Sequence, residues 1–211
     1  MLEHLSVGAF RGQSVRALEY SSVGVFKGQS VRALEYSSVG ALEYSSVRVF
    51  KRVPPKGVTM QKIASFTVNH DTLEKGMYIS RIDGDVITYD IRMKKPNGGD
   101  YFNMSAAHTL EHLFATYARN SQWADKVLYV GPMGCRTGFY LLLRDTVSYE
   151  DAIALVQESM EFVRDFDGEI PGNTAAECGN YLDHDLDGAK ALGKEMSEVL
   201  QNWKPQDLQY K

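Results

Sequence analysis

Met104-Ser105-Ala106-Ala107-His108-Thr109-Leu110-Glu111-His112-Leu113-Phe114-Ala115-Thr116-Tyr117-Ala118-Arg119 reads as a helix set between β-rich segments, and that placement decides the fold. Leu110, Leu113, Phe114 and Tyr117 recur at helical spacing and give the helix an apolar stripe for packing. His108 and His112 are four residues apart, one turn above each other, so two imidazoles can meet at one point with Glu111 beside it. Two neutral imidazoles at this spacing suit a borderline metal such as Zn²⁺ or Fe²⁺. A neighbouring carboxylate can move protons on a bound group. A helix with merely packed or solvated histidines is the plainer reading, and the intervening glutamate weighs against it.

Outward from this helix the pattern alternates. On the N-terminal side, Met77–Ile82 and Asp85–Met93 are strand-like and joined through Asp83-Gly84, a hairpin turn pair. Ile63–Val68 reads as an extended entry segment. On the C-terminal side, Lys126–Val130 and Thr137–Leu143 read as strands around the glycine-rich turn Gly131-Pro132-Met133-Gly134. Ser148 reads as the N-cap of a helix running to about Phe166, with Ile153, Val156, Met160 and Val163 on its apolar face. Pro171–Gly179 is irregular, and a last amphipathic helix is predicted from Asp187 to about Trp203. Hairpin strands with a few helices predict a single α+β domain with an antiparallel-rich sheet.

The first 59 residues are of another kind. Ser6–Ser21 reads SVGAFRGQSVRALEYS, and Ser22–Ser37 repeats those sixteen residues with two substitutions. A shortened copy occupies Ser38–Ser45. Two and a half short units fall below what a solenoid needs. The segment is expected to be a flexible or weakly β-forming leader, disordered or non-native. Pro54-Pro55-Lys56-Gly57 closes it, and the functional domain is expected over residues 60–211.

Composition bounds the function. The 211 residues are 44% hydrophobic and 24% charged, enough for one domain with a real core. No apolar run approaches the roughly 18 residues of a membrane span. No signal peptide is evident, so a cytoplasmic setting is expected. Residues 60–211 carry 15 Lys/Arg against 23 Asp/Glu, which disfavours nucleic acid as a partner. The only cysteines are Cys135 and Cys178. Cys178, as thiolate beside Gly179, is a candidate third metal ligand, which would leave one open coordination position. Cys135 is flanked by glycines that let a substrate approach, with Arg136 beside it to favour thiolate. A small buried cysteine at a turn is the equal alternative.

Six blocks in order resemble the S-ribosylhomocysteine lyase (LuxS) family across about residues 60–203. They are Ser65-Phe66-Thr67-Val68-Asn69-His70; Asp90-Ile91-Arg92 with Pro96-Asn97; His108-Thr109-Leu110-Glu111-His112-Leu113-Phe114; Pro132-Met133-Gly134-Cys135-Arg136-Thr137-Gly138-Phe139-Tyr140; Cys178-Gly179; and His184-Asp185-Leu186-Asp187-Gly188-Ala189-Lys190. The resemblance implies cleavage of S-ribosylhomocysteine to homocysteine and 4,5-dihydroxy-2,3-pentanedione, the autoinducer-2 precursor, in the activated methyl cycle and quorum sensing. It implies Fe²⁺, replaceable by Zn²⁺ or Co²⁺, on His108, His112 and Cys178. It implies Cys135 and Glu111 as acid–base groups, and Ser65, His70 and Arg92 as substrate contacts. It also implies a homodimer with active sites at the subunit interface. One departure stands out: Tyr129 and Gly131 occupy positions where the family usually has an acidic residue and a serine. The rival readings are an inverted zinc peptidase, which leaves both cysteines idle, and a metal-binding dimeric homologue without turnover.

Overall fold

The computed structural model describes residues 61–210, together with the backbone of five short strands nearer the N-terminus. These strands are β1 (Ala9–Gly12), β2 (Glu19–Tyr20), β3 (Val23–Gly28), β4 (Glu35–Tyr36) and β5 (Val39–Glu43). β1, β3 and β5 pair in parallel, as do β2 and β4. The register matches copy to copy: Ala9 pairs with Val25, Val25 with Ala41, and Glu19 with Glu35. Near-identical units offer a similar strand pattern at a fixed interval, so parallel stacking satisfies one copy with the next. The other leader residues, on which the expectation of flexibility also rests, lie outside those described.

Lys62–Lys211 forms a separate compact unit. Its sheet has four antiparallel strands in the order β6-β7-β9-β8: β6 (Gly76–Asp83), β7 (Val86–Arg92), β8 (Val127–Pro132) and β9 (Gly138–Arg144). The hairpin predicted around Gly84 is present, with Asp83 paired to Val86. Two irregularities matter for the site. The β6–β7 register shifts between Ile79 and Arg81, leaving Ser80 as an extra residue, and the β8–β9 register shifts between Val127 and Tyr129 at Leu128. Bulges of this kind re-aim the side chains around them. The predicted extended entry at Ile63–Val68 instead contains a 3₁₀ turn, Ala64–Phe66.

Three helices complete the unit: α1 (Met104–Asn120), α2 (Tyr149–Asp165) and α3 (Leu186–Leu200). Each starts on a side-chain cap. Asn103 accepts from the Ser105 N–H, Ser148 from Asp151, and Asp185 from Gly188. The apolar stripes read from the sequence are the buried ones: Leu110, Leu113 and Phe114 on α1, and Ile153, Val156, Met160 and Val163 on α2. They join Tyr89, Ile91, Phe139, Leu141 and Leu143 from the sheet in one core. Each such side chain contributes about 1.5–3 kcal/mol on burial. The single α+β domain with an antiparallel sheet is therefore as expected. After α3 the chain runs back along β6: the Trp203 indole donates to the Met77 carbonyl (2.9 Å), and Leu208 is fully buried. Among the described residues, no helix is long and apolar enough to cross a membrane.

Candidate metal centre and adjoining thiol pocket

α1 presents His108 and His112 on the same side, with ring centroids 4.7 Å apart. Both Nδ1 atoms meet backbone carbonyls, His108 at Asp183 (2.8 Å) and His112 at Pro171 (2.7 Å). A carbonyl can only accept, so each Nδ1 carries the proton and each Nε2 keeps a free lone pair. This is the tautomer a metal ligand needs. Gly172 makes the second contact possible. It adopts φ +72°, and a Cβ there would sit 3.3 Å from His112 Nδ1.

The irregular segment after α2 supplies the third donor. Cys178 Sγ lies 3.3 Å from His108 Nε2 and accepts the Asn180 N–H at 3.4 Å. A fourth group was not assigned any role from sequence. The His184 ring stacks on His108 at 4.1 Å. Thr109, fully buried on α1, donates its hydroxyl to Ser105 O (3.0 Å) and meets His184 Nδ1 at 3.1 Å. With that hydroxyl proton spent, His184 Nδ1 must be the donor. Its Nε2 is left buried without a partner. The ligand atoms of His108, His112, Cys178 and His184 all lie within 4.8 Å of one another. A set of imidazole lone pairs and a thiolate suits Fe²⁺, Zn²⁺ or Co²⁺. Glu111 is beside this group. Burial raises its carboxyl above the ordinary range, and the two histidines pull it partly back.

A second group forms at the turn between β8 and β9. Cys135 is exposed there, and its sulfur lies 3.0 Å from Thr137 Oγ1 and 3.9 Å from Arg92 Nη1. Arg92 is buried and donates to Thr137 Oγ1 (2.6 Å) and to Asp90 Oδ2 (2.6 Å). Since the threonine oxygen accepts from Arg92, its own proton is free for the cysteine sulfur. Burial disfavours the Arg92 charge, but Asp90 more than compensates, and the guanidinium is held above its ordinary value. The guanidinium in contact with the sulfur is thus that of Arg92, while Arg136 lies over the Tyr101 ring at 5.6 Å.

Cys135 and His70 sit between two cavities. One, of about 190 Å³, is lined by Ser65, His70, Asp90, Arg92, Cys135, Tyr140 and Tyr210 among others. The other, of about 330 Å³, is lined by His70, Asn97, Tyr101, Cys135, Arg136 and Thr137 with Pro96. His70 Nδ1 bonds to the Val68 carbonyl at 3.0 Å, which leaves Nε2 available. The structure therefore gathers Ser65, His70, Arg92 and Cys135 around one cavity, and His108, His112 and Cys178 at one point. None of the metal-group residues lines either cavity. Sequence reasoning gave no role to His184, Thr109, Asp90, Thr137 or Tyr210. The first four sit inside segments already singled out, and their role depends on long-range partners.

Tyr129 and Gly131 are coupled. They lie two apart on β8, hence on the same face, and Tyr129 is half exposed. A Cβ on Gly131 would fall 2.0 Å from the Tyr129 hydroxyl oxygen. The tyrosine ring occupies the space a serine side chain would take, so a serine at 131 displaces that ring.

The S-ribosylhomocysteinase (LuxS) family model matches residues 63–207. Among curated proteins, the S-ribosylhomocysteine lyase of Clostridium acetobutylicum is 50% identical over 156 residues, covering 72% of this chain and 99% of that protein. The enzymes of the same name from Phocaeicola vulgatus and Desulfotalea psychrophila are 48% and 47% identical over 157 residues, covering 72% of this chain and 98% and 99% of theirs.

Proposed function

The chain belongs to the S-ribosylhomocysteinase (LuxS) family, and on that premise we propose that it cleaves S-ribosylhomocysteine to homocysteine and 4,5-dihydroxy-2,3-pentanedione. The observation that carries the reading is the pairing of two groups: imidazoles fixed in the ligand tautomer beside Glu111, and a cysteine held by Thr137 and Arg92 at a cavity.

The thioether at C5 of the ribose is a poor leaving group with no acidic hydrogen beside it. Moving the carbonyl from C1 to C2 to C3 makes the C4 hydrogen acidic, and β-elimination then expels homocysteine. His108, His112 and Cys178 would hold a divalent cation, which would supply Lewis-acid polarisation of the sugar carbonyl. Cys135 takes the C2 proton and returns one at C1 in the first shift. Glu111 serves the second shift and the elimination; its raised carboxyl suits a group that must both accept and donate. Arg92 and Thr137 hold the Cys135 sulfur as the proton acceptor. Ser65, His70 and Arg92, which line one cavity, contact the ribose and homocysteine portions.

The finer points are part of the same proposal. The metal is Fe²⁺, with Zn²⁺ or Co²⁺ as substitutes. The protein works as a homodimer in the cytoplasm, with active sites at the subunit interface. Exposed apolar side chains near each group support sharing of the site between subunits: Phe66 by the pocket, and Met104, Tyr181 and Leu182 near the metal group. Residues 60–211 are the lyase domain, and residues 1–59 are a leader outside its chemistry. The product feeds autoinducer-2 synthesis. Tyr129 favours one alternative, a metal-binding dimer without turnover, because the family's acidic residue at that position is associated with the substrate's amino-acid end.

Cys135→Ala tests the acid–base assignment. Full metal content with thiol release reduced by at least about 100-fold is expected; undiminished release would overturn the role given to Cys135.

A further inference from the structure

Tyr210 lies three residues beyond the last residue matched by the family model, yet it lines the cavity that holds Cys135 and Arg92. The sequence offered no reason to notice it. Its ring stacks on Tyr78 of β6 at 5.0 Å, and its hydroxyl lies 2.9 Å from Asp90 Oδ2. Ser80, the extra residue of the β6 bulge, lines the same cavity. Burial and then the Asp90 charge keep the phenol above its ordinary value, so it is protonated and donates to the carboxylate.

Asp90 Oδ2 is therefore shared by two donors, Tyr210 and Arg92 Nη2. Asp90 is almost wholly buried, and its Oδ1 has no partner. In such a setting each remaining hydrogen bond carries more of the carboxylate's charge. Arg92 Nη1 continues to Thr137 Oγ1, and Thr137 to the Cys135 sulfur. The contacts form one unbroken line from the end of the chain to the thiol.

We propose that Tyr210 is a positioning residue of the thiol pocket: its hydroxyl holds Asp90, Asp90 holds Arg92, and Arg92 with Thr137 holds the Cys135 sulfur. The C-terminal tail is thereby part of the active site. The chain is anchored for this task by buried Leu208 and by Trp203 on the Met77 carbonyl. Without the phenol, Asp90 draws its whole compensation from Arg92, and less positive field reaches Cys135. The sulfur is also faced by His70, Arg136 and Tyr140, which the substitution leaves in place. The proposal rests on the lyase reading for the use made of Cys135, but not for the line of contacts.

The test is Tyr210→Phe in the full-length, metal-loaded protein. Phenylalanine keeps the stack on Tyr78 and removes only the hydroxyl. Two readouts are needed: the rate of iodoacetamide labelling at the Cys135 peptide, followed by mass spectrometry, and kcat and KM for thiol release. Labelling at least threefold slower is expected. A kcat roughly tenfold lower with KM within about twofold is also expected, the loss of one hydrogen bond to a charged group. Labelling at the wild-type rate would overturn the proposal whether or not the protein turns over S-ribosylhomocysteine. Absence of thiol release from the wild type would instead count against the lyase reading. If Tyr210→Phe unfolds, Asp90→Asn takes its place; it removes the charge that joins the Tyr210 hydroxyl to Arg92 and should slow labelling in the same direction, and unchanged labelling there would overturn the proposal.

Discussion

Cys178 Sγ lies 3.3 Å from His108 Nε2, although the two residues are 70 positions apart in the chain. The contact joins the irregular segment after α2 to the middle of α1, at the point where His112 also arrives. If this is a metal centre, Cys178→Ser should reduce metal affinity by more than the roughly 10–100-fold that loss of an outer hydrogen-bond partner costs. Metal content after dialysis against a chelator measures it. Retention equal to wild type would remove Cys178 from the ligand set.

Thr109 should matter to the same centre without touching a metal. Its hydroxyl serves His184 Nδ1, the Asp185 N–H and the Ser105 carbonyl at once. Thr109→Val keeps the shape and removes those bonds, leaving buried donors unmatched. A loss of about 1–3 kcal/mol is expected, seen as a lower melting temperature together with weaker metal retention. An unchanged melting temperature would show that the network does not hold the histidines.

The Tyr129–Gly131 coupling predicts non-additive substitutions. Gly131→Ser alone forces the half-exposed Tyr129 ring into another rotamer and should cost about 0.5–1 kcal/mol. Combined with Tyr129→Asp, the same serine should be tolerated, with most of that loss recovered. Denaturant melts of the two single variants and the double variant give the coupling energy; strictly additive values would mean that the ring moves away at no cost.

Glu195 gives a pH signature. Burial would raise its carboxyl, but ion pairs with Lys75 and Lys94 outweigh that and hold it below the ordinary value. A carboxyl lowered on folding adds stability above the unfolded carboxylate range and loses it as pH falls through the folded value. The difference in melting temperature between wild type and Glu195→Gln should therefore be widest near neutral pH and close below about pH 4. A difference that persists undiminished at acid pH would assign the effect to packing instead.

Much of this was legible in the sequence because it is local. The α1 stripe, the Gly84 hairpin and the Ser148 cap depend on spacing over a few residues, and the structure has all three. His108 and His112 were readable for the same reason. What escaped depends on where distant backbone falls. No spacing rule brings the Asp183 and Pro171 carbonyls to the two histidines, or His184 onto His108. The Ser80 bulge breaks the alternation that makes a strand readable, and Tyr210 reaches its site only because the tail returns along β6. Adjacency in sequence suggests Arg136 as the thiol's cation, and the family resemblance adds Arg92. The left-handed backbone at Arg136 (φ +60°) and its contact with Tyr101 leave that place to a residue 43 positions away.

The most direct test of the lyase account is thiol release from S-ribosylhomocysteine by anaerobically prepared, Fe²⁺-loaded protein, with Glu111→Gln measured beside it. The account predicts steady release by the wild type, and a loss of at least about 100-fold in the variant at equal metal content. No release from fully metal-loaded wild-type protein would contradict it and favour a metal-binding dimer without turnover.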